Sequence, residues 1–106
     1  KVSVLSKVIP LVKSLKKKKL NVKLFDPYFT PKEIKRAASV KTFRFPNQLK
    51  QFDCIIVTVN HKQFRISPLK LNKYLKNCKL IIDHEGAWEN YNLANKYRLT
   101  GDSGWL

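Results

Sequence analysis

Short apolar runs of strand length alternate along this chain with segments of helical periodicity, and the alternation predicts a layered α/β domain. Residues 1–5, KVSVL, alternate with period two and carry the β-branched Val2 and Val4, which reads as a strand. A helix follows, with Ser6 as N-cap and Val8, Ile9, Leu11, Val12 and Leu15 recurring at three- and four-residue spacing; Pro10 is tolerated because it falls in the first turn. Residues 20–25 form the second strand, which stops at Asp26-Pro27. Thr30-Pro31 followed by Glu33 then opens a capped helix over residues 31–38. Such a β-α-β unit is nearly always right-handed, with its strands parallel.

Residues 40–45, VKTFRF, alternate apolar and basic positions and suit a marginal third strand, and residues 47–52 suit a helical turn or two. CIIVTV, residues 54–59, is the most apolar segment, continuous and β-branched, and belongs mid-sheet with both faces covered. Ser67-Pro68 opens a helix through Leu75, with Leu69, Leu71 and Leu75 on one side. Residues 80–83 are the next strand, residues 89–97 a further helical segment, and residues 97–100 an edge strand. The whole is a single three-layer Rossmann-like α/β domain spanning residues 1–106, with a mostly parallel sheet.

In open α/β sheets ligands bind where strand C-terminal ends and the following turns converge. Three predicted strands end on polar groups there: Asp26, Asn60 with His61, and Asp83 with His84. If the strands are parallel neighbours, both histidines open on one crevice. His61, with Asn60 before it and Phe64 after it, can hydrogen-bond a phosphate or sugar. A metal site would need a third ligand from Asp83, Glu85 or Asp26 at a spacing that matches no known signature, so none is expected. No serine has an elbow context, and Cys54 and Cys78 sit in or beside apolar runs as buried reduced thiols, so no catalytic residue is assigned. Trp88, Tyr91 and Trp105 can stack on a base or pack in the core.

Twenty-two Lys and Arg against seven Asp and Glu give a formal charge of +15, which favours an anionic partner. The lysines are spread along the chain, and the run at residues 16–19 falls at a helix C-terminus, where the dipole favours cations. Basic and aromatic residues interleave only in VKTFRF, so specific nucleic-acid binding is not expected. No apolar stretch approaches the roughly 20 residues that cross a bilayer, and a cytoplasmic protein with no membrane partner is expected. The first residue is Lys and Met is absent, which suits a fragment of a longer protein. All three glycines lie after residue 85, so neither a dinucleotide fingerprint nor a phosphate P-loop fits the first β-α junction.

Taken in order, SKVIPLVKSLKKKKLNVKLFDPYF, FDCIIVTVNHKQF and KLIIDHEGAWE resemble the C-terminal nucleotide-sugar-binding domain of the UDP-glucose/GDP-mannose dehydrogenase family over nearly the whole chain. Gly86-Ala87-Trp88 is most similar to the branch acting on UDP-N-acetylmannosamine. The resemblance implies a parent enzyme with an NAD-binding domain and a middle domain carrying the catalytic cysteine. It would oxidise the sugar C6 alcohol to a carboxylate in two NAD-dependent steps. It implies a nucleotide sugar, the two other domains and, in some arrangement, further copies of the chain as partners. It also implies that Asp26, Asn60, His61, Phe64, Asp83 and Trp88 contribute to substrate binding. Neither Cys54 nor Cys78 matches the family cysteine, so this chain alone is not expected to reduce NAD. Two departures stand out: the family's longer loop after the first strand is missing, and Glu85 occupies a position usually basic. The alternatives are a degenerate binding domain without catalysis and a basic nucleic-acid-binding module.

Overall fold

A computed structural model describes residues 2–5, 8–93 and 96–100, the first strand by its backbone. Five strands, β1 (Val2–Leu5), β2 (Val22–Phe25), β3 (Cys54–Val57), β4 (Leu80–Asp83) and β5 (Tyr97–Leu99), form one sheet in the order β2-β1-β3-β4-β5. Every neighbouring pair is parallel. Three helices connect them: α1 (Ile9–Lys17), α2 (Pro31–Ala38) and α3 (Pro68–Tyr74). Short 3-10 helices occupy Asn47–Gln51 and Lys62–Phe64. The expected three-layer, Rossmann-like α/β architecture is the observed one.

β3 lies at the centre because its side chains feed both layers. Ile55 and Val57 enter one core with Phe52, Phe64, Leu71, Leu75, Ile81 and Trp88. Ile56 enters the other with Val12, Val22, Leu24, Ile34 and Ala38. A strand buried on both faces gains nothing from polar alternation, which is why CIIV is a continuous apolar run. α2 begins as its sequence dictates: Thr30 Oγ1 accepts from the Glu33 amide at 3.2 Å, and Glu33 Oε1 accepts from the Thr30 amide at 2.9 Å. Those hydrogen bonds hold the Glu33 carboxyl below its ordinary range. Ser67 caps α3 in the same way, accepting from the Lys70 amide.

Four expectations change. Ser6 lies outside the described residues, and α1 starts at Ile9 with Val8 in the cap position and no side-chain cap. Residues 40–45 form no strand but a single parallel bridge, Lys23 with Lys41. The Arg44 amide donates to Gln48 Oε1 at 2.7 Å instead of to a ladder, while Phe43 packs edge-on against Phe52 at 4.8 Å. Period-two alternation here records aromatics tucked under a sheet edge, not a strand with two faces. Leu69 is 86% exposed whereas Leu71 and Leu75 are fully buried, because residues two apart on a helix point in different directions. The segment expected as a helix from Glu89 is a series of turns over its described residues up to 93, with Glu89 and Tyr91 amides donating back to Gly86 and Trp88 carbonyls. Residues 94 and 95 and the Gly101 to Leu106 stretch, with Trp105, lie outside the described residues.

Both cysteines are free thiols, at the N-terminal ends of β3 and β4. Burial, reinforced by the neighbouring Cys78, pushes the Cys54 thiol from 9.0 up to about 11. Burial raises Cys78 as well. In the unfolded chain the Cys54 thiol ionises near its ordinary value, so its contribution to stability is complete below pH 9.0 and is lost as pH rises to about 11. Urea unfolding midpoints are therefore expected to fall across that window, and to fall less steeply in Cys54→Ala; parallel slopes for the two proteins would contradict this.

Candidate functional site

The four strands β2, β1, β3 and β4 end flush. Phe25 is in register with Leu5, Leu5 with Val57, and Val57 with Asp83. The chain leaves β1 for β2 on one side and later fills β3 on the other, so the crevice expected of an open α/β sheet lies over the end of β1.

After β2, Asp26 turns the chain. Its Oδ1 accepts from the Tyr28 amide at 2.9 Å, an Asx turn, and its carbonyl accepts from the Phe29 amide. Asp26 is nearly buried as a result, while Tyr28 is pushed out to 70% exposure. After β3 the chain brings His61 against the Tyr28 ring, centroids 4.9 Å apart and edge-on. The other side of His61 meets Phe64 at 5.3 Å and 89°. Two such aromatic contacts fix the plane of the His61 imidazole by packing.

The turn after β4 is organised by an internal anion. Asp83 is fully buried, and its Oδ1 accepts from the Gly86 and Ala87 amides at 3.0 and 3.1 Å. Its Oδ2 accepts from the Trp88 amide at 2.8 Å and from the Tyr97 hydroxyl at 2.6 Å. Burial, then this hydrogen bond, pushes the Tyr97 phenol above its ordinary range. Gly86 has φ +79, which is why the turn requires glycine; a β-carbon there would also stand 3.1 Å from the carboxyl carbon of the exposed Glu89 side chain, which would have to shift slightly. Trp88 is fully buried, with Nε1 donating to the Phe64 carbonyl at 2.8 Å. The β4 turn is thereby tied to the β3 loop. A second tie runs across the surface, where Glu85 Oε1 accepts from the Asn60 amide at 2.9 Å.

These loops enclose a hollow of about 380 Å³ lined by Asp26, Tyr28, Phe29, Val59, Asn60, His61 and Glu85. Of the residues singled out in the sequence, Asp26, Asn60 and His61 meet there. Phe64, Asp83 and Trp88 are buried behind it and hold the loops in place. His84 turns away, its Nδ1 3.4 Å from Thr100 Oγ1 beside β5, so the two histidines do not share the hollow. Tyr91 donates its hydroxyl to the Ile66 carbonyl and, like Trp88, packs instead of offering a face. Tyr28 and Glu85 complete the lining; an exposed aromatic directly after Asp-Pro at a strand end was the available signal for the first. Among the described residues no group of three metal-ligating side chains occurs. The hollow offers carboxylate acceptors, an imidazole, an amide side chain and an aromatic edge, and both thiols lie at the opposite end of the sheet. That set can hydrogen-bond a hydroxyl-bearing ligand, while its two carboxylates work against an anionic group placed beside them. It carries no nucleophile.

The fold and this edge together define a parallel α/β ligand-binding domain. Residues 5–90 match the model of the UDP-glucose/GDP-mannose dehydrogenase family, UDP binding domain. The chain belongs to that family, through its UDP-binding domain. No curated protein and no solved structure matches it. Among the described residues no helix is long and apolar enough to cross a membrane.

Proposed function

We propose that this chain supplies nucleotide-sugar contacts in an NAD-dependent nucleotide-sugar 6-dehydrogenase whose other domains hold the cofactor and the catalytic cysteine. The observation that carries the site is the convergence of Tyr28, Asn60, His61 and Glu85, from three strand ends, on one hollow at the carboxyl edge of a UDP-binding domain. In this reading Tyr28 stacks on a ring of the ligand, and Asn60 and His61 hydrogen-bond its oxygens. Asp26 and Glu85 accept from its hydroxyls. Asp83, Phe64 and Trp88 position these groups without touching the ligand. Gly86-Ala87-Trp88 favours UDP-N-acetylmannosamine as the sugar. Free thiols at Cys54 and Cys78 suit a reducing compartment such as the cytoplasm.

The chain's own residues do not fit NAD. The connection from β1 to α1 has no glycine, and the amides of the glycine-bearing turn after β4 are already spent on Asp83. The cofactor's hydride chemistry is therefore assigned to other parts of the enzyme. Glu85 favours a second reading, a diverged domain that binds without serving catalysis, because its carboxylate takes up the Asn60 amide that would otherwise face an anionic ligand.

Calorimetric titration with UDP-N-acetylmannosamine tests the site. Tyr28→Ala is expected to weaken binding about tenfold, the loss of one stacking contact. Glu85→Arg is expected to strengthen it about tenfold, since it exchanges a repelling for an attracting charge at a few ångströms from the diphosphate. If both variants bind like the parent protein, the hollow is not where the ligand sits.

A further inference from the structure

Five of the seven acidic residues, Asp26, Glu33, Asp83, Glu85 and Glu89, stand at or after the C-terminal ends of strands, while Asp53 precedes β3 at the other end and Asp102 lies outside the described residues. At the opposite end, two adjoining hollows of about 260 and 390 Å³ share Lys16 and Ser39 and are lined with no acidic residue. Lys23 and Lys41 border one, Lys13 and Lys17 the other. Lys16 Nζ donates to the Ser39 carbonyl at 2.8 Å, so the two hollows form one groove crossed by a lysine bridge. None of these five lysines has an ion-pair partner among the described residues.

The helix dipoles explain only part of this. The C-terminal ends of α1 and α2 both point into the groove and favour cations there, which accounts for Lys16 and Lys17. Lys23 and Lys41 lie on the sheet edge, bridged directly opposite each other, a like-charge pairing that works against the sheet. We propose that this groove is a second binding site, for the phosphate backbone of duplex nucleic acid, read without regard to sequence. Its concavity and its near lack of exposed apolar groups, Leu20 apart, fit a rod-like polyanion better than a bilayer. With no aromatic in its lining it cannot stack unpaired bases, and its cations are lysine point charges instead of arginine forks.

The test is anisotropy of a short labelled duplex titrated with the protein between about 50 and 200 mM salt. Five lysine–phosphate contacts give a slope of log K against log salt of about −4.5, or an affinity loss of about 500-fold over that range. Changing Lys13, Lys17 and Lys41 together to Gln is expected to reduce the slope by about 2.7. Changing the exposed Lys73, Lys76 and Lys79 to Gln removes equal charge at the end of α3 and is expected to leave it unchanged. Equal losses in the two triple variants would mean diffuse attraction by net charge and would overturn the site. So would tighter binding to phosphatidylserine vesicles or to a poly-glutamate peptide than to the duplex, or no duplex binding at the lowest salt. Because the groove and the nucleotide-sugar hollow lie at opposite ends of the strands, saturating UDP-N-acetylmannosamine should leave duplex affinity unaltered.

Discussion

An Asp83→Ala variant is expected to lose about 4 kcal/mol of folding stability, a large share of the roughly 5–15 kcal/mol typical of a domain. The carboxylate accepts four hydrogen bonds, from the amides of Gly86, Ala87 and Trp88 and from the Tyr97 hydroxyl. Hydrogen bonds to a charged group contribute about 1.5–3 kcal/mol each, and buried donors left without an acceptor cost about as much. Water entering beside the exposed Glu85 recovers part of that sum, which is why the loss is set below four times the single-bond value. With a urea m-value of about 2 kcal/mol/M, the midpoint should fall by about 2 M at unchanged m. Tyr97→Phe removes one donor to the carboxylate and should cost about 1.5–3 kcal/mol. A drop of less than about 0.5 M for Asp83→Ala would show that the turn is not held by this carboxylate.

Trp88→Ala is expected to cost about 3–5 kcal/mol, the range for removing a fully buried large aromatic from a packed core. The indole packs among Phe64, Leu71 and Ile81 and spends its N–H on the Phe64 carbonyl. Trp88→Phe keeps an aromatic ring and loses that hydrogen bond, so its cost should be about 1–2 kcal/mol. The two variants separate packing from the tie between loops. A Trp88→Phe loss equal to that of alanine would place most of the effect in the N–H. Both substitutions act on ligand binding only through the placement of residues 60–64, so titrations run well below the unfolding midpoint should show small changes in affinity beside those of Tyr28→Ala.

The strands were legible because a parallel sheet leaves a plain trace: CIIV is a continuous apolar run, LIID is apolar up to its closing Asp83, and the two pair with each other as expected. α2 was legible because its start is chemical, with Thr30, Pro31 and Glu33 each at the position that a helix N-terminus rewards. VKTFRF misled because alternation reports which side chains are wet, not whether a backbone ladder exists. Asp26, Asn60 and His61 could be placed at the edge from strand ends alone. The inward turn of Asp83 could not, since whether a carboxylate faces a ligand or its own backbone depends on the φ of Gly86 and on a hydroxyl from β5. The Glu85–Asn60 contact joins residues 25 apart and follows from the β3–β4 register, which no local pattern encodes.

Amide chemical-shift mapping of labelled protein during titration with UDP-N-acetylmannosamine tests the central claim, that the carboxyl edge of the sheet is the nucleotide-sugar site. The largest shifts are expected at Tyr28, Phe29, Asn60, His61 and Glu85, around one hollow, with the groove near Lys16 and Ser39 unmoved. Shifts confined to that groove, or none at millimolar ligand, would contradict it.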